Sequence, residues 1–190
     1  MVDFKQFFKN KKKTVLGWGV LGRGVGYTKF LAECGADLIV TDLKTKEQLV
    51  TSIKILEKYK NIKFVLGEHR LEDFKDRDLI IKNPGVPADS IYIAEARKNS
   101  IPIEMDVSFF AKLAPEVTVV GVTGTRGKSM TTALIYEILS KNIKGKKVYL
   151  GGNVRGIATL PLLKKVKAGD ILVCELDSWQ LQGFGEAKIS

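Results

Sequence analysis

Short apolar segments rich in β-branched residues alternate with segments of helical periodicity along nearly the whole of this 190-residue chain. This order is typical of βαβ units, in which parallel strands form a sheet and the connecting helices cover it. Two of the apolar segments, residues 14–18 and 117–122, run directly into glycine-rich turns that precede helices. The sequence therefore predicts two α/β units in tandem, each opening with a glycine-rich turn from strand to helix.

The predicted strands and helices are short, and prolines mark the loops between them. The strands are residues 14–18, 37–40, 63–66, 79–82, 101–103, 117–122, 148–150 and 171–174. The helices are residues 24–33, 46–59, 88–99, 107–113 and 129–140. Pro84 and Pro87 require a loop after the fourth strand, because proline has no backbone N–H to donate. Pro115 ends the fourth helix, and we expect the domain boundary there, with domains of residues 1–113 and 114–190.

The formal net charge is +10, which raises the hypothesis of a nucleic-acid-binding module. The lysines instead fall in short runs at the ends of predicted elements, at residues 11–13, 144–147 and 164–167, without interleaved aromatic residues. This pattern favours a solvated surface, so we expect no nucleic-acid partner. No apolar run reaches the roughly 20 residues that span a bilayer, and the two cysteines stand far apart. We expect a cytoplasmic monomer without membrane contact.

The strongest functional signal is the segment GVTGTRGKS at residues 121–129, where a strand enters a loop of three glycines before a helix. Glycines allow backbone N–H groups to surround a phosphate, and the helix N-terminus adds partial positive charge. Lys128 is placed to reach the outer phosphates of a nucleotide, and Ser129 to ligate Mg²⁺. The spacing departs by one residue from G-x-x-x-x-G-K-[ST], yet the order of strand, loop and helix predicts a nucleotide phosphate site.

A second signal is the segment DILVCELDSWQL, in which an apolar strand leads to Glu175. Open α/β sheets place their ligands at the carboxyl ends of the strands, so Glu175 would face the phosphate loop. Mg²⁺ prefers oxygen ligands and takes few of them from the protein. We therefore predict that Glu175 is a Mg²⁺ ligand, the alternative being a solvated acidic residue at a strand end.

The first glycine-rich turn, GWGVLGRG at residues 17–24, resembles the dinucleotide fingerprint G-x-G-x-x-G, and Asp42 follows the next predicted strand. Asp42 is well placed to bind a ribose or a base edge. Because such glycines often serve only for tight helix packing, a nicotinamide-dependent oxidoreductase stays a rival hypothesis. That rival does not account for the lysine-bearing phosphate loop. The only histidine, His69, lies in the polar segment GEHRLED, for which we predict a surface position.

The ordered motifs GWGVLG, NPGVP, GVTGTRGKS, GGNV and ELDSWQL resemble those of the Mur ligases over nearly all of the chain. The resemblance implies a Rossmann-like parallel-sheet domain that binds a UDP-linked substrate, followed by the first part of a P-loop ATPase α/β domain. It also implies an ATP-dependent, ADP-forming amide-bond ligase of peptidoglycan synthesis that uses Mg²⁺. The similarity is greatest to members that add D-glutamate to UDP-N-acetylmuramoyl-L-alanine through an acyl phosphate, and another Mur ligase is the alternative.

The same resemblance implies a set of site residues, with Lys128 and Glu175 as catalytic residues and Ser129 and Glu175 as Mg²⁺ ligands. The implied ATP-binding residues are Gly124, Thr125, Arg126, Gly127, Lys128, Ser129 and Met130. The implied UDP-substrate residues are Val20, Leu21, Asp42, Gly85 and Asn153.

Four residues depart from the family pattern. Met130 replaces a hydroxyl residue, Asp177 replaces a serine, Trp179 replaces a phenylalanine, and Arg155 precedes a glycine that usually comes one position earlier. The sequence also stops before the third domain of the family, so we expect this fragment to be inactive alone.

Overall fold

The computed structural model describes residues 3–19 and 22–184 of the chain. The chain divides into two compact units, Met1–Met105 and Asp106–Ser190. This division falls earlier than the predicted boundary between domains 1–113 and 114–190, since the last helix before that boundary belongs to the second unit. No helix in the described ranges is both long enough and apolar enough to cross a membrane.

The first unit contains a five-stranded parallel sheet with the strand order β3-β2-β1-β4-β5. Its strands are β1 (Lys12–Leu16), β2 (Asp37–Asp42), β3 (Ile62–Leu66), β4 (Leu79–Lys82) and β5 (Ile103–Glu104). Its helices are α1 (Phe4–Phe8), α2 (Arg23–Glu33), α3 (Val50–Leu56) and α4 (Ile91–Lys98), with a 3-10 turn at Leu71–Phe74. The parallel sheet and its crossover helices confirm the predicted Rossmann-like fold.

The central strands of this sheet are buried along most of their length, as expected for parallel strands covered on both faces. Leu16 of β1 and Ile80 of β4 form an apolar cluster with Ile93 of α4. β1 begins and ends earlier than the predicted strand at residues 14–18. The reason is that Gly17 has a φ of +72° and already belongs to the turn.

The second unit contains a three-stranded parallel sheet with the order β6-β8-β7. Its strands are β6 (Thr118–Val122), β7 (Val148–Gly152) and β8 (Ile171–Glu175). Its helices are α5 (Asp106–Leu113), α6 (Lys128–Asn142) and α7 (Ser178–Leu181), with a 3-10 turn at Leu160–Lys164. The Asp106 carboxylate accepts hydrogen bonds from the backbone N–H groups of Thr159 and Leu160 at 2.7 and 2.8 Å. These bonds fasten α5 to the second unit.

Candidate nucleotide-binding sites

A cleft of about 390 Å³ opens at the carboxyl end of the sheet in the first unit. The first glycine-rich turn, the segment after β2 and the Pro84 loop form its walls. Its lining residues are Leu16, Gly17, Gly19, Asp42, Leu43, Lys44, His69, Asn83, Gly85, Val86, Pro87, Ser90 and Tyr92. Two of the predicted UDP-substrate residues, Asp42 and Gly85, therefore lie in one cleft. Val20 and Leu21 lie outside the described residues.

The glycines of the first turn allow two backbone segments to approach each other closely. Gly17 and Gly19 have φ values of +72° and +73°, which side-chain-bearing residues rarely adopt. A methyl group at Gly17 would lie 2.8 Å from Val86 Cγ2 and 3.2 Å from Asn83 Cβ. At Gly24, a methyl group would overlap the backbone oxygen of Trp18. The motif thus serves helix packing at Gly24 and shapes the floor of the cleft at Gly17.

The Pro84 loop is held in shape by its own hydrogen bonds. Asn83 Oδ1 accepts from the Gly85 N–H at 3.0 Å, and the Asn83 carbonyl accepts from the Val86 N–H at 3.0 Å. The Lys82 ammonium group donates to the Val86 carbonyl at 3.0 Å. The exposed backbone of Gly85 is therefore presented to the cleft on a loop that is already ordered.

Asp42 is 4% exposed and organises two walls of the cleft. Its Oδ2 accepts from the Gly19 N–H at 2.7 Å, and its Oδ1 accepts from the Lys44 N–H at 2.9 Å. The Lys44 ammonium group lies 3.9 Å from Oδ1. Each carboxylate oxygen thus already holds a backbone N–H, so Asp42 fixes the glycine turn relative to the segment after β2.

His69 lies in this cleft, half-buried, and not on the open surface that the sequence predicted. Its Nδ1 is 2.7 Å from Thr41 Oγ1, and its ring meets the Tyr92 ring edge to face at 5.0 Å between centroids. Burial lowers the His69 pKa, partly opposed by the charge of Asp42. The available sequence signal was its position shortly after β3, since loops that follow parallel strands gather at one sheet edge.

The predicted phosphate loop of the second unit joins β6 to α6. Gly124 and Gly127 have φ values of +149° and +78°, and α6 begins at Lys128. The Lys128 ammonium group donates to the Gly124 carbonyl at 2.8 Å, which folds the lysine back over the loop. The loop residues Thr125 and Arg126 are exposed. The loop, the helix N-terminus and the lysine therefore come together as the motif predicts.

Glu175 ends the central strand β8 and pairs with Val122, the last residue before the phosphate loop, and with Gly152 of β7. The side chain is 7% exposed. Within residues 3–19 and 22–184, its carboxylate has no hydrogen-bond or ion-pair partner. Its place at a strand end beside the phosphate loop marks this carboxylate as a candidate cation ligand.

Asn153, the predicted UDP-substrate residue of the second unit, directly follows β7. Its N–H donates to the Glu175 carbonyl at 2.6 Å, and the preceding Gly152 N–H donates to Thr159 Oγ1 at 3.1 Å. The side chain of Asn153 is half-buried. Asn153 thus lies at the same sheet edge as Glu175 and belongs to the second unit, whereas Asp42 and Gly85 line the cleft of the first unit.

Known proteins match both units of this chain. Residues 11–104 match the family model of the Mur ligase MurD-like N-terminal domain. A UDP-N-acetylmuramoylalanine–D-glutamate ligase of Roseiflexus is 41% identical over 180 residues, which is 95% of this chain and 38% of the relative. One from Borreliella burgdorferi is 39% identical over 177 residues, or 93% of this chain and 38% of the relative. The chain belongs to the Mur ligase family.

The chain spans about 38% of the length of these Mur ligase relatives. A solved structure of a UDP-N-acetylmuramate:L-alanyl-gamma-D-glutamyl-meso-diaminopimelate ligase from Neisseria meningitides shares the fold, with a TM-score of 0.50 and 18% identity. The match covers 88% of this chain and 52% of that one.

The departures from the Mur ligase pattern at residues 130, 155 and 177 lie at different positions in the structure. Asp177 is the N-cap of α7: its carboxylate accepts from the Gln180 N–H, while the Gln180 side chain accepts from the Asp177 N–H. A serine can fill the same capping role, which accounts for the exchange. Met130 is 79% exposed in the first turn of α6, and Arg155 is exposed in the loop after β7. Nothing in the structure explains either of these two.

Proposed function

We propose that this chain is the part of an ATP-dependent ligase that binds UDP-N-acetylmuramoyl-L-alanine and the ATP phosphates, in an enzyme that adds D-glutamate. One observation carries the proposal. The UDP-N-acetylmuramoylalanine–D-glutamate ligase of Borreliella burgdorferi aligns with this chain over 177 of the 190 residues. An alignment of that length must include both the cleft of the first unit and the phosphate loop of the second. The sequence similarity therefore extends to both candidate sites and is not confined to a common Rossmann-like domain.

The first-unit cleft would hold the uridine diphosphate end of the substrate. Its volume suits a nucleoside with part of a diphosphate, and its lining is formed mostly by loops that follow strands. Gly19 and Gly85 offer close backbone approach, while Lys44 supplies a positive charge at the rim. Asp42 would position Gly19 and the segment at Lys44 for this contact.

The second-unit loop would hold the triphosphate of ATP. The backbone N–H groups at the start of α6 and the Lys128 ammonium group present positive charge at the same place. A phosphate oxygen would replace the Gly124 carbonyl as the acceptor for Lys128. In the reaction, the alanyl carboxylate attacks the γ-phosphorus and ADP leaves, after which the D-glutamate amine displaces phosphate from the acyl phosphate. Lys128 would stabilise charge on the transferring phosphoryl group.

The residues at this edge fit a Mg²⁺ ion. Glu175 ends β8 next to the last residue before the phosphate loop, and Ser129 stands at the start of α6. Mg²⁺ is commonly held by one or two protein oxygens together with substrate phosphates, so this small donor set is sufficient. When bound, the ion would neutralise charge on the phosphates. Glu175 and Ser129 would hold it, and Asn153 would brace the Glu175 strand end through its backbone N–H.

Calorimetric titration of the chain tests the proposal with three ligands: UDP-N-acetylmuramoyl-L-alanine, ATP with Mg²⁺, and NAD. We expect the first two to bind and NAD not to. Lys128→Ala should weaken ATP binding by about 10-fold to 100-fold, the cost of a charge-assisted hydrogen bond, and leave binding of the UDP ligand unchanged. Glu175→Gln should remove most of the Mg²⁺ dependence of ATP binding.

Lys141→Ala is the matched control, because Lys141 lies near the other end of α6 and pairs with Glu137 on the surface. It should leave ATP affinity unchanged. Tight NAD binding without any response to the UDP ligand would replace the proposal with a nicotinamide-dependent oxidoreductase. Equal effects of Lys128→Ala and Lys141→Ala would remove Lys128 from the phosphate site.

A further inference from the structure

The hydrogen bonds around His69 favour a proton on one of its two ring nitrogens. Thr41 Oγ1 lies 3.0 Å from the Glu68 carbonyl oxygen, to which it donates, and 2.7 Å from His69 Nδ1. A hydroxyl group has one proton to give. If the hydroxyl gives its proton to the carbonyl, its oxygen accepts from His69 Nδ1–H, and this arrangement, which satisfies both contacts, favours the tautomer with the proton on Nδ1.

The neutral ring then has its lone pair at Nε2. Among residues 3–19 and 22–184, Nε2 has no hydrogen-bond partner, while the ring lines the cleft of the first unit. Burial lowers the His69 pKa, which favours this neutral form. The Tyr92 ring packs edge to face against the imidazole and restricts its rotation. The cleft therefore contains an oriented hydrogen-bond acceptor, the His69 Nε2 atom, that no other described residue uses.

We propose that His69 Nε2 accepts a hydrogen bond from a neutral donor on the ligand, an N–H of the base or a hydroxyl of the ribose, and so helps to select a nucleoside in this cleft. The inference rests on the proposed function, in which the cleft holds a uridine diphosphate. A phosphate group at physiological pH offers acceptors, and an acceptor nitrogen does not recognise it. His69 thus contacts the nucleoside end, and the diphosphate lies elsewhere in the cleft.

Protonation of Nε2 would convert this acceptor into a donor and weaken binding. The ionisable residues that share the cleft lining with His69 are Asp42, Lys44 and Tyr92, and Glu68 and Arg70 flank it in the chain. Arg70 is committed to Asp73, with bonds of 3.0 and 2.8 Å. Affinity for the nucleoside should therefore fall as the pH drops through the His69 pKa.

The chain contains a single histidine, so its imidazole nitrogens can be observed without competing signals once any purification tag is removed. Long-range ¹H–¹⁵N correlation spectra of the labelled chain should show a protonated Nδ1 and an unprotonated Nε2 at neutral pH. Addition of UDP should shift the Nε2 resonance, whereas inorganic pyrophosphate should not. Titration with 2′-deoxy-UDP and with N3-methyl-UDP identifies the donor, because the analogue that lacks it should leave Nε2 unshifted.

His69→Phe should weaken UDP binding roughly tenfold at neutral pH and remove the loss of affinity that His69 protonation causes, leaving only the pH dependence due to the terminal phosphate of UDP. Thr41→Val is the second variant: it removes the hydroxyl that favours the Nδ1–H tautomer and should give a mixture of tautomers in the same spectra. A protonated Nε2 in the unliganded chain would overturn the inference, as would UDP binding that leaves both histidine nitrogens unshifted, although the proposed function would survive. Absence of any UDP binding would overturn both.

Discussion

The junction between β7 and β8 offers the sharpest test of how the second unit holds its site together. Gly152 has a φ of +81°, and a methyl group there would overlap the Glu175 carbonyl oxygen and lie 3.0 Å from both Glu175 C and Glu175 N. All three atoms belong to the backbone, so no side-chain rotation can relieve the overlap. Gly152→Ala must therefore push the end of β7 away from β8.

The magnitude follows from the contacts that would be lost. A left-handed φ costs an alanine about 1–2 kcal/mol. Displacement would also break the bonds from Asn153 N–H to the Glu175 carbonyl and from Gly152 N–H to Thr159 Oγ1, at about 1 kcal/mol each. We expect Gly152→Ala to lower the free energy of unfolding of the second unit by roughly 3–4 kcal/mol in total.

Gly156, in the loop that follows β7, provides the matched control. Its φ is +77°, but a methyl group there would have no atom of the described residues within 4 Å. Gly156→Ala should therefore show the conformational cost alone, about 1–2 kcal/mol. Urea unfolding followed by circular dichroism, with hydrogen exchange to separate the two units, measures the difference. Equal destabilisation by both variants would refute the steric argument.

Two further predictions concern the first unit. Asp42→Ala should weaken UDP binding about tenfold and lower the unfolding free energy by about 1–3 kcal/mol, because the Gly19 and Lys44 N–H groups lose their acceptor. Asp42→Asn should recover part of the UDP affinity and part of the stability. Unchanged UDP affinity of Asp42→Ala in a calorimetric titration would contradict this prediction. Burial lowers the pKa of Lys13 from 10.5 to about 8. Between pH 8 and 10.5 the unfolded chain therefore binds more protons than the folded chain, so the free energy of unfolding should rise with pH over this range, by at most about 3 kcal/mol. Lys13→Met should abolish that rise in urea unfolding, and an identical rise in the variant would assign it to other groups.

The sequence by itself determined the features that depend on neighbouring residues. Apolar β-branched segments formed the strands, and the segment of residues 121–129 formed a loop with Gly124 and Gly127 at positive φ before a helix. The placement of Glu175 at the carboxyl edge also followed, because any parallel strand that ends in a carboxylate delivers it there. These features are local, since the spacing of apolar residues and the positions of glycines can be read from consecutive residues of the sequence.

Only the tertiary structure decided what each site residue contacts. Asp42 and Gly19, like Thr41 and His69, are separated by more than twenty residues and meet only because β1, β2 and β3 are adjacent in the sheet. The sequence therefore predicted that Asp42 lies at the same sheet edge as the first glycine-rich turn, but could not show that both its oxygens already accept from backbone N–H groups. The sequence predicted a surface position for His69 for the same reason. Strand order and register bring its partners Thr41 and Tyr92 next to it, and local periodicity does not encode either.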